Sequence, residues 1–449
     1  VILRRLVWGL LGVLPLLPLL PVAAQESKPC EILITGVQRG ADTTRFRSVV
    51  TGTGGRNLYV GGGVDATCEG QGNRLLADSA EHFADRGLLI LYHNVRYSEE
   101  RVTMTSDKMF YYTVDERLVA EGNVKGRTAS GTRFEGPQME YYRAKPGLRN
   151  VPSWTARGRP FVRMSPTETG AEPGTSADSV DLTANWVLSV NDSLVWASGR
   201  VIIERSDMRA TGDSATLDNG REFARLMRDP QIVGKGERAF TLDGTVIDAW
   251  SKDRQLERVL AAGEGRAESD SLVLTADTID LRFADQQIQQ VYTWGGRSRA
   301  DGPEQQLEAD SMDIRMPGQR LERLHAIGRA IAWSSVDTAK IATDERDWIA
   351  GDTVVAGFET RTDSVTGEDR TQMKEVVATG TARSFYQVAA SSGERGPPNL
   401  SYSRGRMITV QFANGEMSTV QVIDRASGLY LEPAAAVPDP APVTRGRRP

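Results

Sequence analysis

The sequence predicts an all-β fold: repetitive stacked antiparallel strands forming an elongated array. Three observations predict it. The stretch Met104–Val124, MTSDKMFYYTVDERLVAEGNV, carries two strand-like halves joined by a polar turn. The first half of that unit recurs in nine places. Unbroken units are about 30 residues apart, a range in which self-similarity marks a solenoid or stacked array. The composition agrees, because 44 glycines with 39% hydrophobic and 7% aromatic residues suit a turn-rich β protein better than a helical enzyme.

Within the unit, Leu118, Ala120, Gly122 and Val124 alternate with Val119, Glu121 and Asn123. Side chains two apart share a face only in a strand, so the second half reads as β. In the first half the apolar residues Met104, Met109 and Tyr111 change phase around Ser106 and Asp107, which a bulge or sharp bend produces. Two short strands and their turns fill each unit and leave no room for a crossover helix, so neighbours pair antiparallel.

In chain order, Arg4 and Arg5 precede an apolar run from Leu6 to Leu20, with small residues at Val22-Ala23-Ala24. Residues 1–24 read as a cleavable signal peptide, and the run, broken by Pro15, Pro18 and Pro21, is a poor membrane span. The expected location is the periplasm, with association at the outer membrane left open. Residues 25–74 read as an N-terminal β cap holding the two cysteines, Cys30 and Cys68; in an exported protein these are expected to form a disulfide. A front repeat block runs over 75–164 and a Pro-, Gly-, Ser- and acid-rich linker over 165–178. A rear block spans 179–385, degenerate terminal strands 386–432, and a Pro/Ala-rich tail with a disordered composition 433–449.

The first half of the unit appears at Leu75–His82, Met104–Tyr111, Phe134–Tyr141, Leu182–Ser189, Ala210–Leu217, Leu242–Ala249, Leu274–Leu281, Leu307–Ile314 and Ile349–Ala356. The second half follows, as at Leu89/Leu91/Val95, Val195/Ala197/Gly199, Leu324/Ala326/Gly328 and Val376/Ala378/Gly380.

Little here suggests catalysis. A net charge of −5 argues against a broad basic face for nucleic acid. There is no GxSxG, P-loop, HExxH or paired CxxC, and no metal or cofactor is expected. His82, His93 and His325 read as strand residues, although adjacent rungs could bring His82 and His93 together. Asp78, Asp107, Asp213, Asp277, Asp310 and Asp352 recur at one position, as a carboxylate ladder would. Asn185, Thr245 and Pro137 replace them elsewhere, which suits a turn or bulge role instead. The aromatic cluster Phe110, Tyr111, Tyr112, Tyr141 and Tyr142 reads equally as a groove lining or as cross-strand packing.

The motifs LLADSAEHF…LLILYHNV, MTSDKMFYY…LVAEGNV, LTADTIDL and LEADSMDI resemble those of the OstA-like (LptA) family of lipopolysaccharide-transport periplasmic proteins over roughly residues 75–385. The chain departs from the simplest such bridge in its length, its cysteine-bearing cap and its long linker. The resemblance implies a β-jellyroll, or β-taco, whose slot carries acyl chains of lipopolysaccharide or a related glycolipid toward the outer membrane without catalysis. It also implies pairing of edge strands with other β-jellyroll transport components, and head-to-tail self-association. Strand phase assigns the lipid-facing row to Leu75, Ala77, Leu89, Leu91, Met104, Met109, Tyr111, Leu118, Ala120, Val124, Met139 and Tyr141, with the inverse face open. The competing readings are a secreted structural or adhesive β-solenoid with a sealed core and, third, a polysaccharide-active β-helix enzyme.

Overall fold

The phase reversal inside each unit is a corner in the chain. In the computed structural model, which describes residues 30–36, 44–52, 54–164, 179–236, 239–253, 255–269, 272–362, 369–389, 395–413 and 416–433, the Val102–Tyr112 strand pairs with Arg117–Thr128 in two separate stretches. Lys108–Tyr112 lies against Arg117–Glu121; the register then skips and resumes with Thr105 opposite Lys125. In the skipped stretch Gly122 and Asn123 take φ of 75° and 47°, both left-handed. The second half of the unit, predicted as uninterrupted strand, therefore contains a two-residue left-handed turn.

Residue chemistry at the corner explains the motif. Asp107 lies opposite, and its carboxylate accepts a hydrogen bond from Asn123 Nδ2 at 2.7 Å. A Cβ on Gly122 would sit 2.4 Å from Asp107 Oδ2, so both the positive φ and the close approach call for glycine. The same left-handed pair recurs at Gly199-Arg200, Gly263-Glu264 and Gly328-Arg329, opposite Asn185, Thr245 and Asp310. The recurrent acid is thus a corner residue spread along the molecule.

Among the described residues, thirty strands form one antiparallel sheet, folded along this line of corners into two facing walls. Wall A holds segments such as Val124–Thr128, and wall B segments such as Arg117–Glu121. Fourteen strands cross the corner intact, and the rest are split there. Ser153–Arg157 in wall B and Phe161–Met164 in wall A, for example, are separated by Gly158-Arg159-Pro160. Each wall is 22 strands deep, about 100 Å at the usual strand spacing. Among the described residues, wall A ends at Ile32–Gly36 and Ser427–Leu431, and wall B at Arg45–Val50 and Glu416–Ile423.

The array starts earlier than the sequence repeat. Arg56–Cys68 already bends at Gly62-Gly63 and pairs along both walls with Arg74–Phe83, so the N-terminal segment is part of the sheet. Cys30 and Cys68 are bonded, with 5.1 Å between their Cα atoms. The 1–24 leader, the 165–178 linker and nearly all of the 433–449 tail lie outside the described residues. No helix among the described residues is long and apolar enough to cross a membrane.

Candidate functional site

Because alternate residues of both walls face inward, the fold encloses a trough with its floor at the corners and its mouth between two rows of hairpin turns. All twelve residues of the predicted row point into it, and each is 0–3% exposed. They pack as a filled core. Tyr97 and Tyr141 meet across 6.3 Å, and Phe134 and Trp154 across 5.5 Å. Complete burial of such side chains stabilises by about 1.5–3 kcal/mol each.

The mouth above this front segment is bridged by a polar cluster. Arg143 donates to Glu99 Oε2 at 2.5 Å on a wall A turn, to Glu116 Oε2 at 2.8 Å on a wall B turn, and to the Gln71 side chain. Tyr97 donates to Glu99 at 2.9 Å, Tyr111 to Glu116 at 2.7 Å, and Tyr141 also donates to Glu99. Burial first, and then the facing carboxylate, pushes all three phenols above their ordinary value, so they remain donors. Burial opposes the Arg143 charge, but Tyr97, Glu99 and Tyr111 outweigh it and hold the guanidinium above its usual value. Further along, Asp192 accepts from Ser130 at 3.2 Å and from Trp154 Nε1 at 3.4 Å, extending the bridge.

Behind this segment the trough opens. A cavity of about 380 Å³ lies between Met164, Ile203 and Leu226. A second, about 630 Å³, occupies the mouth near Met208, Phe240 and Arg320. A third, about 520 Å³, is lined by Ala300, Ala332 and Ile349 of wall A and by Leu324, Ala356 and Val376 of wall B. Neighbouring cavities share Met208 and Leu256, then Phe240, Gln319 and Arg320, so they follow one another along the trough. None of the twelve predicted residues lines any of the three. Volumes of this order are typical of small-molecule sites.

Sequence reasoning missed both the Arg143 cluster and the rear cavities. The signal for the first was a charged or amide residue at successive turns, Gln71, Glu99, Glu116 and Arg143, beside buried tyrosines. The signal for the second was residue size at the last position of the first half-unit: Tyr111 and Tyr141 in front against Leu217, Ala249, Leu281, Ile314 and Ala356 behind.

The other candidates separate in space or find structural roles. His82 pairs with Leu89 at a wall B tip, whereas His93 occupies a corner with φ 60°, so register keeps them apart. No cluster of three or more His, Cys, Asp or Glu able to hold a metal occurs among the described residues. Of the aromatics, Tyr111 and Tyr141 face the trough. Phe110, Tyr112 and Tyr142 lie on the outer face under Lys108, Arg117 and Arg149, with cation-to-ring distances of 4.5, 4.1 and 5.2 Å.

Fold and cavity together define an all-β protein with an apolar trough between two sheet walls. No protein-family model and no curated protein matches the chain. Among solved structures it is similar to LptH, the LptA homologous periplasmic component of the conserved lipopolysaccharide transport device from Pseudomonas aeruginosa. The identity is 15% and the TM-score 0.22, covering 24% of this chain and 79% of that one.

Proposed function

We propose that this protein is a non-catalytic carrier that shelters the acyl chains of lipopolysaccharide or a related glycolipid in the rear part of its trough. The observation that carries the reading is the cavity of about 520 Å³ between two apolar walls. Apolar surface open to water is unfavourable unless something apolar occupies it. The repeat motifs resembling the OstA-like family support the choice of ligand and a periplasmic setting. Among the described residues, the strands at either end of the array pair along one edge only. Their outer edges offer backbone donors and acceptors to a neighbouring sheet, which supports strand addition by other transport components or by a second copy.

Competition tests the reading. Lipopolysaccharide should displace 11-dansylaminoundecanoic acid from the full chain saturably, and Ala356→Trp, which fills the cavity from wall B, should weaken binding at least tenfold. A sealed adhesive solenoid would bind neither ligand.

A further inference from the structure

Four rear wall B hairpins carry a feature that the front hairpins lack and the repeat does not require. Others in the rear, such as Asp218 opposite Phe223 and Arg315 opposite Arg323, run as the front ones do. In front, pairing runs unbroken from corner to tip: Phe83 opposite Leu88, Tyr112 opposite Arg117, Tyr142 opposite Ser153. At four rear hairpins a second bulge interrupts it just before the tip, with one extra residue on the returning strand: Glu257, Gln289, Lys374 or Ser418.

One extra residue reverses which face the next side chain takes. Strict alternation from the inward residues Val259, Val291 and Val376 would send Leu256, Ile288 and Met373 outward. The bulge turns them back over the trough, so that Leu256 and Ile288 are 5% and 7% exposed. Their partners across the hairpins, Phe283 opposite Ile288 and Phe358 opposite Met373, already face inward, and Phe412 opposite Met417 repeats the arrangement. Phe283, Phe358, Met373, Phe412 and Met417 are only partly buried and pack against the core. Phe358, Met373 and Phe412 also line the rear cavity directly.

We infer that the rear trough is loaded sideways, by an unbranched alkyl chain of an amphiphile passing over this apolar lip, and that the front segment is a closed end that holds no cargo. The inference rests on the carrier reading and specifies where the ligand sits and how it gets in. Three features distinguish the lip from ordinary packing: it recurs, it requires a bulge each time, and it is placed over the cavities. Half-buried Phe and Met side chains can swing aside with little loss of packing, and the Met thioether adapts to a passing chain. The front mouth has no such path, because charged hydrogen bonds to Arg143 span it above a filled core.

Stopped-flow fluorescence with 11-dansylaminoundecanoic acid and the full chain provides the test. Phe358→Ser with Met373→Ser, and separately Phe412→Ser on another hairpin, should each raise both association and dissociation rates, by roughly tenfold if the lip contributes the ~1.4 kcal/mol such a factor represents. The exposed front-turn variant Val114→Ser should match the wild type. Unchanged rates in both lip variants, with binding intact, would overturn lateral loading alone. No binding by the wild-type chain would instead overturn the carrier reading on which it rests.

Discussion

The front and rear of this protein share one strand topology yet enclose different interiors, and side-chain size decides the difference. In front, Tyr97, Tyr111, Phe134, Tyr141 and Trp154 fill the space between the walls, and a buried arginine cluster ties the turns above them. Behind, Leu217, Ala249, Leu281, Ile314 and Ala356 take the position that Tyr111 and Tyr141 hold in front, space remains between the walls, and bulged hairpins lean apolar residues over it. A repeating backbone can therefore hold a rigid plug and an adaptable trough in series without changing fold.

The sharpest way to break this comparison is to remove Arg143. Its side chain is 14% exposed, and Glu99 and Glu116, at 9% and 7%, would be left buried without a counter-charge. Arg143→Ala should cost about 3–5 kcal/mol in urea unfolding, and a loss below 1 kcal/mol would mean that the cluster does not hold the front closed. Next come paired methionine truncations. Met109→Ala, at a fully buried front position, should cost about 2–5 kcal/mol. Met373→Ala, on the half-buried lip, should cost about 1 kcal/mol or less. Equal losses would erase the proposed contrast in packing.

The corners are common to both regions, so a substitution there should be indifferent to the comparison. Gly122→Ala meets a positive φ and the Asp107 carboxylate, and should cost about 1–3 kcal/mol by thermal melting. Gly328→Ala, opposite Asp310 in the rear, should cost a similar amount. A pH-dependent effect concerns Asp347 beside the rear cavity. Burial pushes its carboxyl up to about 6 from an ordinary 3.8, against the pull of hydrogen bonds from Gln387. Because the folded value is the higher one, the stabilising contribution is complete below 3.8 and is lost as pH rises through about 6. Asp347→Asn should remove that decline and be relatively more stable above pH 6 than below pH 4, as read from melting temperature against pH.

Much of the fold was legible because its determinants are local and repeated. Period-two alternation located the strands, and the phase change around Ser106 and Asp107 located the corner. Together they placed all twelve of the chosen side chains in the trough. Asn185, Thr245 and Pro137, standing in for the recurrent Asp, marked that position as structural. The left-handed pair was not legible: Gly122-Asn123 turns the corner while leaving Val124 buried, so the hydrophobic pattern passes through undisturbed. The Arg143 cluster joins residues up to 72 positions apart, which no local pattern encodes. The rear cavity depends on what the inward side chains fail to fill, and alternation records polarity without recording volume. That is why the predicted lipid-facing row fell in front, where the motif is best formed, while the space lies behind.

Mapping where a bound alkyl chain touches the protein tests the central claim most directly. A glycolipid carrying a diazirine in its acyl chain, photolysed on this chain and followed by peptide mass mapping, should label residues between Leu272 and Phe412, including the lip at Phe358 and Met373. Labels concentrated instead on Leu75–Tyr141 would show that the front opens to cargo, and would contradict the division of the trough into a closed front and a receptive rear.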